Sequence, residues 1–363
     1  MFDEARQISL HELQLATRNH GTPLEVLRNP RTPVGLHYLL IHYDIPDVDP
    51  ADWRLHVDGC VSTPLQLAID DIKARRRFSE TVTMECAGNG RALMQPRPLS
   101  QPWLHEAVGT AEWTGIRLAS LLDDAGVDAD SVDVVFTGLD RGIDGGVEQA
   151  YQRSLSIDEA RRPEVLLAYE MNGSPLVPQH GAPLRLVYPG WYGMTNVKWL
   201  SHITVLDRPF TGYQQTHSYV FRATPDEAGT PLSRMLPRAL MVPPGIPDFY
   251  TRQRMLPIGP CRLQGRAWSG WGPITGVDVS VDGGSTWHEA AVDGPQLGQW
   301  AWQAWTYDWE PTGTADHILC CRARDAVGND QAHFPTWNVG GYANPLPHRV
   351  HVTVRDDLVD PSP

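Results

Sequence analysis

The sequence predicts a mixed α+β domain followed by an all-β sandwich. The chain has 363 residues, and a domain usually holds about 100–200 residues, so two or three domains are expected. Up to about residue 220, helix-like and strand-like patterns are mixed without strict βαβ order, which favours an α+β domain over a doubly wound sheet. Beyond about residue 255 only strand patterns recur, which is typical of a β-sandwich.

The elements of the first domain follow from local patterns. Apolar and polar residues alternate before the turn at Gly59, which predicts a strand. Thr63-Pro64 precedes a predicted helix, because proline suits a first helical turn. Apolar residues spaced as on one helix face end at Gly126, which predicts an amphipathic helix closed by that glycine. The predicted strands are 53–59, 81–84, 132–137, 166–171 and 184–188, and the predicted helices are 65–77 and 116–125.

Prolines are dense between the two domains. Because proline disrupts helices and sheet interiors, residues 221–254 are expected to be a linker. Beyond the linker, valines alternate over residues 277–281 before an Asp-Gly-Gly turn, which predicts a hairpin. The predicted domains are therefore 1–220 and 255–355, with a short tail at 356–363.

Composition and charge restrict the classes of function. Hydrophobic residues make up 41% and charged residues 20% of the chain, so it is expected to fold. The formal charge of −13 disfavours nucleic acids and anionic membranes as partners. There is no apolar run of about 18 residues and no secretory signal pattern, so a cytoplasmic location is expected unless a leader was removed. Five cysteines without a CxxC pair predict neither a disulfide framework nor a structural zinc site.

The most informative segment is Glu-Cys-Ala-Gly-Asn-Gly-Arg at residues 85–91. Cys86 ends a predicted strand and is followed by small residues whose backbone N–H groups can face one point. Arg91 adds a fixed positive charge five residues later. This setting favours a thiolate, which serves as a nucleophile or as a soft metal ligand. The alternative is a buried cysteine that packs as a small hydrophobic residue before a glycine turn.

A second segment concentrates cations and turns. It contains His180, Arg185 and Lys198, and Lys198 is one of only two lysines in the chain. Arginine binds oxyanions through its planar fork and lysine binds them as a point charge, so this group is a candidate phosphate site. The alternative is that these side chains are ordinary solvated surface residues.

Taken together, these residues resemble the sulfite oxidase family of molybdopterin enzymes. The motifs TMECAGNGR, AYEMNG, HGAPLRLVYPG and NVKWL follow one another in that family's order and spacing. Later, WSGWGPITGVDVSVDGGSTW resembles the start of the family's immunoglobulin-like dimerisation domain. The resemblance covers about residues 20–350. It implies a molybdopterin-binding α+β domain of the sulfite oxidase fold, an immunoglobulin-like sandwich and a molybdenum–molybdopterin cofactor.

The resemblance also implies roles for individual residues. Cys86 would be the protein thiolate on molybdenum, and Arg91 and Trp103 would face the substrate pocket beside the metal. Tyr219 would form a hydrogen bond near the oxo ligand. Core packing is the alternative interpretation for Trp103 and for two of the cofactor positions, His42 and Asp140. The residues expected to contact the pterin and its phosphate are His42, Asp140, His180, Arg185, Asn196, Val197 and Lys198.

Two substrate-pocket arginines of the family are missing. The family's sulfite oxidisers have F-Y-V-R-N-H where this chain has His-Tyr-Leu-Leu-Ile-His, which places Leu40 at the arginine position. They have W-N-L-R-G where this chain has Trp-Asn-Val-Gly-Gly, which places Gly340 at the second. Each hydrogen bond to a charged group contributes about 1.5–3 kcal/mol, so sulfite is expected to bind about two to four orders of magnitude less tightly. Arg97 is a candidate replacement cation because it lies near Cys86 in sequence.

Three hypotheses about function follow. The preferred one is an oxidoreductase of this family that transfers an oxygen atom to or from a small-molecule substrate other than sulfite, such as an organic S- or N-oxide. The second is a sulfite dehydrogenase with a rebuilt anion site. The third is a non-catalytic cofactor-binding partner in a sulfur-oxidising complex. No stretch resembles the haem domain of the animal enzymes, so an external electron acceptor or donor, such as a c-type cytochrome, is expected, together with a homodimer.

Overall fold

Strands dominate the protein, and within residues 8–358 no helix is both long and apolar enough to cross a bilayer. The computed structural model of the protein describes residues 8–358. Helices and strands are mixed up to residue 218, whereas the described chain beyond it contains strands and no helix. This confirms the predicted α+β domain followed by an all-β domain. The α-helices are α1 (Leu10–Arg18), α2 (Ile69–Lys73), α3 (Leu118–Ala125) and α4 (Ile157–Ala160).

Two five-stranded sheets form the first domain. Its strands are β1 (Leu55–Gly59), β2 (Leu65–Leu67), β3 (Phe78–Glu85), β4 (Val108–Arg117), β5 (Asp133–Asp144), β6 (Val147–Ser156), β7 (Leu166–Met171), β8 (Ser174–Pro175), β9 (Arg185–Val187) and β10 (Leu200–Leu206). One sheet has the order β2-β1-β10-β5-β6, in which β1 and β10 are parallel. The other has the order β3-β4-β7-β8, with β9 paired to β7. A small hairpin of β11 (Val220–Phe221) and β12 (Thr230–Pro231) follows.

The second domain is a sandwich of two sheets. Its strands are β13 (Arg238–Met241), β14 (Ile246–Pro247), β15 (Arg254–Pro257), β16 (Cys261–Trp268), β17 (Ile274–Ser280), β18 (His288–Glu289), β19 (Ala291–Val292), β20 (Gln303–Trp309), β21 (Ala315–Asp325) and β22 (His348–Arg355). The sheet orders are β13-β16-β20-β19 and β14-β15-β22-β21-β17-β18. Val277, Val279 and Val352 are buried in the core of this domain, since alternate strand residues face it. The predicted valine hairpin is β17 and β18.

The helix predictions had mixed outcomes. Helix α3 ends as predicted at Gly126, whose φ of +65° is left-handed and suits glycine. The helix predicted over 65–77 is wrong, because β2 pairs with β1 and only α2 is helical. The leucines at both ends of β2 pack against the core at a spacing of two, which is a strand period. Sequence patterns missed α1, which a capping box of Ser9 and Glu12 starts.

Part of the predicted linker contributes to the sheets of the second domain. Residues 221–254 contain β13, which pairs with β16 and is fully buried. They also contain β14, which pairs with β15. The prolines misled the prediction because they flank β13 without entering it. The interpretation of this stretch as a linker is therefore corrected: it carries the first strands of the sandwich.

A buried polar network joins the two domains next to Cys86. Glu85, the last residue of β3, forms an ion pair with Arg238 of β13, with 2.8 Å between Oε1 and Nη1 and both side chains 3% exposed. Trp268 Nε1 donates to the other carboxylate oxygen at 3.0 Å, and Asn89 Nδ2 donates to Oε1 at 3.0 Å. Because Cys86 directly follows Glu85, the second domain helps to fix the position of Cys86.

Candidate active site

A partly open cavity lies at the point where β3 ends. Its walls come from segments that are distant in sequence: the chain before β1, the end of β3, one residue each of β5 and β6, the start of β9 with the loops on either side of it, and the residue before β11. The lining residues are His37, Tyr38, Leu39, Leu40, His42, Met84, Cys86, Asp140, Tyr151, His180, Arg185, Gly193, Met194, Asn196, Lys198 and Tyr219. The cavity therefore combines a thiol, several tyrosines and a group of cations.

Cys86 is buried, with 6% of its surface exposed. Its backbone N–H donates to the Ala107 carbonyl at 2.9 Å and extends the pairing of β3 with β4 by one residue. Burial raises the pKa of the Cys86 thiol, while the positive charge of Arg91 and the contact with the Trp103 indole partly oppose this shift. A raised pKa disfavours a free nucleophilic thiolate. A bound metal ion is the kind of charge that would hold the sulfur in its anionic form.

Four buried tyrosines lie around Cys86, and all of them except Tyr342 line the cavity. Burial raises the pKa of each phenol, so each hydroxyl remains protonated and able to donate at neutral pH. They are Tyr38, Tyr151, Tyr219 and Tyr342. The Tyr219 hydroxyl lies 3.3 Å from His42 Nδ1. The hydroxyls of Tyr151 and Tyr342 already donate to the carbonyls of Met194 and Ser218, at 2.7 and 2.9 Å, so these two phenols add uncharged surface and not free donors.

Two buried cations mark the other end. The Arg185 guanidinium lies 4.6 Å from the centre of the Trp113 ring and donates to the carbonyls of His180 at 3.0 Å and Asn196 at 3.1 Å. Lys198 Nζ donates to the Leu40 carbonyl at 2.8 Å. Within residues 8–358, neither cation lies within ion-pair distance of a carboxylate.

The electrostatics of these cations favour the binding of an anion. Burial lowers the pKa of Arg185 to about 10, and burial together with the Arg185 charge lowers the pKa of Lys198 to about 7. Burial lowers the pKa of His180 to about 3, so this imidazole is neutral. A buried charge without a partner is costly, and an anionic ligand such as a phosphate would remove that cost.

Two buried polar atoms beside the cations lack hydrogen-bond partners in the described chain. They are His37 Nε2 and Asp140 Oδ1, and both residues line the cavity. Burial raises the pKa of Asp140 to about 6, against the attraction of Lys198. His37 Nε2 faces the backbone of Gly109, since a β-carbon on that glycine would lie 2.7 Å from it. Because buried polar atoms are normally hydrogen-bonded, Asp140 Oδ1 marks a place for a polar group of a bound molecule. A phosphate joined to a heterocycle with N–H groups fits this arrangement.

The structure brings most of the sequence-predicted residues to one cavity. Arg91 and Trp103 are buried beside Cys86 without lining the cavity. Val197 lies behind the wall, with its N–H bonded to the Thr195 carbonyl and its own carbonyl bonded to Leu186. The predicted residues that line the cavity are Cys86, His42, Asp140, His180, Arg185, Asn196, Lys198 and Tyr219.

The two positions where arginines are missing present no charge to the cavity. Leu40 lines the cavity with an apolar side chain, and the Leu40 carbonyl accepts a hydrogen bond from Lys198 Nζ. Gly340 contributes its carbonyl, which accepts from Arg91 Nε at 2.7 Å. Arg97, the candidate replacement, forms a buried ion pair with Glu12. Its charge is therefore balanced within the protein and is not offered to an oxyanion at Cys86.

Comparison with known proteins assigns the family. Residues 42–214 match the oxidoreductase molybdopterin binding domain, and residues 251–355 match the Mo-co oxidoreductase dimerisation domain. The chain is 36% identical to mitochondrial sulfite oxidase from Homo sapiens, over 93% of this chain and 64% of that protein. It is 34% identical to sulfite oxidase from Gallus gallus, over 91% of this chain and 75% of that protein. The chain belongs to the sulfite oxidase family of molybdopterin oxidoreductases.

Further similarities agree with membership of the sulfite oxidase family. The sulfane dehydrogenase SoxCD from Paracoccus pantotrophus superimposes with a TM-score of 0.79 at 26% identity, over 96% of this chain and 86% of that chain. NADH nitrate reductase from Solanum lycopersicum is 31% identical over 89% of this chain and 38% of that protein. The chain spans 64% of the length of the human and macaque sulfite oxidases. The predicted family, fold and molybdenum–molybdopterin cofactor are confirmed.

The cavity fits the cofactor of the sulfite oxidase family. Within residues 8–358, no group of three or more His, Cys, Asp or Glu side chains is arranged to hold a metal ion. A metal at Cys86 would therefore take its other ligands from the bound cofactor, which suits a soft metal held by a dithiolene. The cations at Arg185 and Lys198 would hold the phosphate of that cofactor.

Sequence reasoning missed several residues of this site. Tyr38 lies inside the segment compared with the family at residues 37–42, and Tyr342 lies two residues after Gly340. In both of these segments, attention to the missing arginines left the neighbouring tyrosines unnoticed. Tyr151 lies on β6 outside any motif, and Arg238 is brought to Glu85 only by the packing of the two domains.

Proposed function

We propose that this chain holds a molybdenum–pterin cofactor in the Cys86 cavity and transfers an oxygen atom to or from a substrate with less negative charge than sulfite. The substrate class is an organic S- or N-oxide or its reduced counterpart. The observation that carries the proposal is the distribution of charge along the cavity. Among the lining residues the arginine and lysine side chains are Arg185 and Lys198, which the phosphate of the cofactor would occupy, whereas tyrosines such as Tyr219 lie around Cys86. A dianion that moves from water to the space beside Cys86 would lose its hydration without gaining charged partners. The desolvation free energy of a neutral oxide is much smaller.

The cationic end is proposed to bind the phosphate of the cofactor. Arg185 and Lys198 are already held by backbone carbonyls, so little side-chain freedom is lost on binding. Charge-assisted hydrogen bonds from both would give the buried cations an anionic partner. The partnerless Asp140 Oδ1 is proposed to accept a hydrogen bond from the polar edge of the pterin.

When bound, the molybdenum centre supplies oxygen-atom transfer coupled to a two-electron change at the metal. Reduction of an S-oxide consumes two electrons and two protons and releases the sulfide and water, so protons must reach a buried site. Tyr219 lies 3.3 Å from His42 Nδ1, and His42 Nε2 lies 3.5 Å from the Asp144 carboxylate. The Tyr219 residue is 6% exposed, whereas the side chains of His42 and Asp144 are 24% and 30% exposed. These three residues are proposed to carry protons between solvent and the Cys86 end.

The test is a substrate comparison on cofactor-loaded protein. Sulfite is supplied with ferricyanide as electron acceptor, and a panel of organic S- and N-oxides is supplied with a reduced viologen as electron donor. We expect at least one oxide to be turned over with a KM more than a hundredfold below that of sulfite. Turnover of micromolar sulfite, with no oxide reduced, would refute the proposed substrate class. Cys86→Ser is the control for turnover that does not depend on the site.

A second candidate is oxidation of an inorganic sulfur compound. It is favoured by the 36% identity to human sulfite oxidase and by the likeness to the sulfane dehydrogenase SoxCD. In this case the sulfur substrate would be oxidised and its electrons would pass to an external acceptor such as a c-type cytochrome. The substrate would be either a free molecule or a group presented by a partner protein of a sulfur-oxidising complex. Sulfite-dependent cytochrome reduction by the isolated protein, or by the protein mixed with such a partner, distinguishes this candidate.

We also propose that two chains pair through the second domain. The support is the match of residues 251–355 to a dimerisation domain. Light scattering on the purified protein is expected to give the mass of two chains. The mass of one chain at micromolar concentration would refute this part of the proposal.

A further inference from the structure

Arg91 is the arginine retained from the substrate pocket of the family, and its guanidinium is tightly enclosed. Nε donates to the Gly340 carbonyl at 2.7 Å, and Nη1 donates to the Gln101 carbonyl at 3.2 Å. A β-carbon placed on Gly88 would lie 2.5 Å from Nη2, so the guanidinium rests directly on that glycine. Arginine has five donors, however, and two hydrogen bonds to carbonyls leave others able to bind an anion.

The ring of Tyr342 covers this guanidinium. Arg91 Cζ lies 5.1 Å from the ring centre, within the range of a cation–π contact. The ring is held in place on several sides. The Tyr342 hydroxyl donates to the Ser218 carbonyl at 2.9 Å, and its ring centre lies 5.5 Å from that of Tyr219. The backbone N–H and carbonyl of Tyr342 both bond to the Asn338 side chain, at 2.9 and 2.8 Å.

Gly340 and Tyr342 fit each other sterically. A β-carbon placed on Gly340 would overlap Cε2 of the Tyr342 ring, and it would also lie within 3 Å of Cζ. Any side chain at position 340 would therefore have to displace the ring from Arg91. The glycine is required here for space, because the ring occupies the volume that a side chain would fill.

We propose that Tyr342 determines substrate charge specificity by covering Arg91 and withholding its guanidinium from anions. This inference rests on the proposed function, since it explains how an arginine beside Cys86 is compatible with a substrate less charged than sulfite. The ring, and not the hydroxyl, provides the cover. Tyr342 thus acts on the substrate through Arg91 and through the space it fills, without a role in oxygen transfer itself.

The experiment measures binding of an inert oxyanion. Sulfate is titrated calorimetrically into cofactor-loaded wild type, Tyr342→Ala, Tyr342→Phe and the double variant Tyr342→Ala/Arg91→Gln. We expect the alanine variant to bind sulfate at least tenfold more tightly than wild type, because a charge-assisted hydrogen bond becomes accessible. The phenylalanine variant should bind like wild type, and the double variant should lose the gain.

Circular dichroism and molybdenum content show whether each variant is folded and loaded. If Tyr342→Ala does not fold, Tyr342→Leu is measured in its place with the same expectation. The inference is overturned if the folded, loaded variant gains no sulfate affinity, or if Tyr342→Phe gains as much as the alanine variant. Tight sulfate binding and micromolar sulfite turnover by wild type would instead refute the proposed function, so the two failures are distinguishable.

Discussion

Removing the arginine of the buried pair between the domains is expected to destabilise the protein strongly. Arg238 donates to Glu85 at 2.8 Å, to the carbonyls of Asn89 and Asn344 at 3.2 Å each, and to His105 Nδ1 at 2.9 Å. In Arg238→Met these acceptors remain buried and Glu85 loses its counter-charge. Breaking a buried ion pair by removing one partner costs about 3–5 kcal/mol, so a loss of that size in the free energy of unfolding is expected.

The assay is urea unfolding followed by tryptophan fluorescence. Arg238→Met/Glu85→Gln is expected to be more stable than Arg238→Met by about 1–3 kcal/mol, because the uncompensated carboxylate is gone. Arg208→Met is the control, since Arg208 and its partner Asp207 are 72% and 60% exposed, and its effect should stay below about 0.5 kcal/mol. The reasoning is refuted if Arg238→Met loses less than about 1 kcal/mol, or if the double variant is less stable than Arg238→Met.

Three further predictions concern protons and anions. Burial, with Arg238 nearby, lowers the pKa of His348 to about 3. Below pH 6.5 the unfolded chain therefore binds more protons at this residue than the folded chain, so the free energy of unfolding decreases as the pH is lowered. Urea titrations should show that His348 accounts for a loss of about 2 kcal/mol in the free energy of unfolding between pH 7 and 5, and that His348→Asn lacks this part of the loss. An equal loss in His348→Asn and wild type would contradict the prediction. Inorganic phosphate should raise the melting temperature of the cofactor-free wild type, and it should raise that of Lys198→Met much less. Lys73→Met is the control, since Lys73 is exposed, and it should respond like wild type. Equal shifts in all three proteins would contradict the phosphate site. Tyr219→Phe should lower kcat about a hundredfold with unchanged molybdenum content, and an unchanged kcat would refute its role in proton transfer.

The sequence was most informative where chemistry imposes a residue type at a fixed place. Cys86, Arg185 and Lys198 could be singled out as candidates, because a thiol at a strand end and cations among turns suit a metal and a phosphate, but the patterns alone also fitted a packed cysteine and solvated surface residues. Their meeting in one cavity could not be derived from spacing, because it depends on how the two sheets of the first domain pack. The family resemblance supplied that information.

Contacts between the domains were beyond sequence patterns. The pairing of Glu85 with Arg238 joins residues 153 positions apart, and no local signal connects them. The cover of Arg91 by Tyr342 was missed for a different reason. Gly340 was interpreted as the loss of an arginine, whereas the structure shows that its lack of a side chain makes room for an aromatic ring.

The most direct test of the account is the sulfur coordination of molybdenum in the loaded protein. X-ray absorption at the molybdenum edge, with metal analysis, is carried out on wild type, Cys86→Ser and Cys60→Ser, the last being a free cysteine outside the cavity. We predict about one molybdenum per chain in wild type and loss of one sulfur ligand in Cys86→Ser alone. An unchanged number of sulfur ligands in Cys86→Ser, or wild-type protein that retains no molybdenum, would contradict the assignment of Cys86 as the metal ligand.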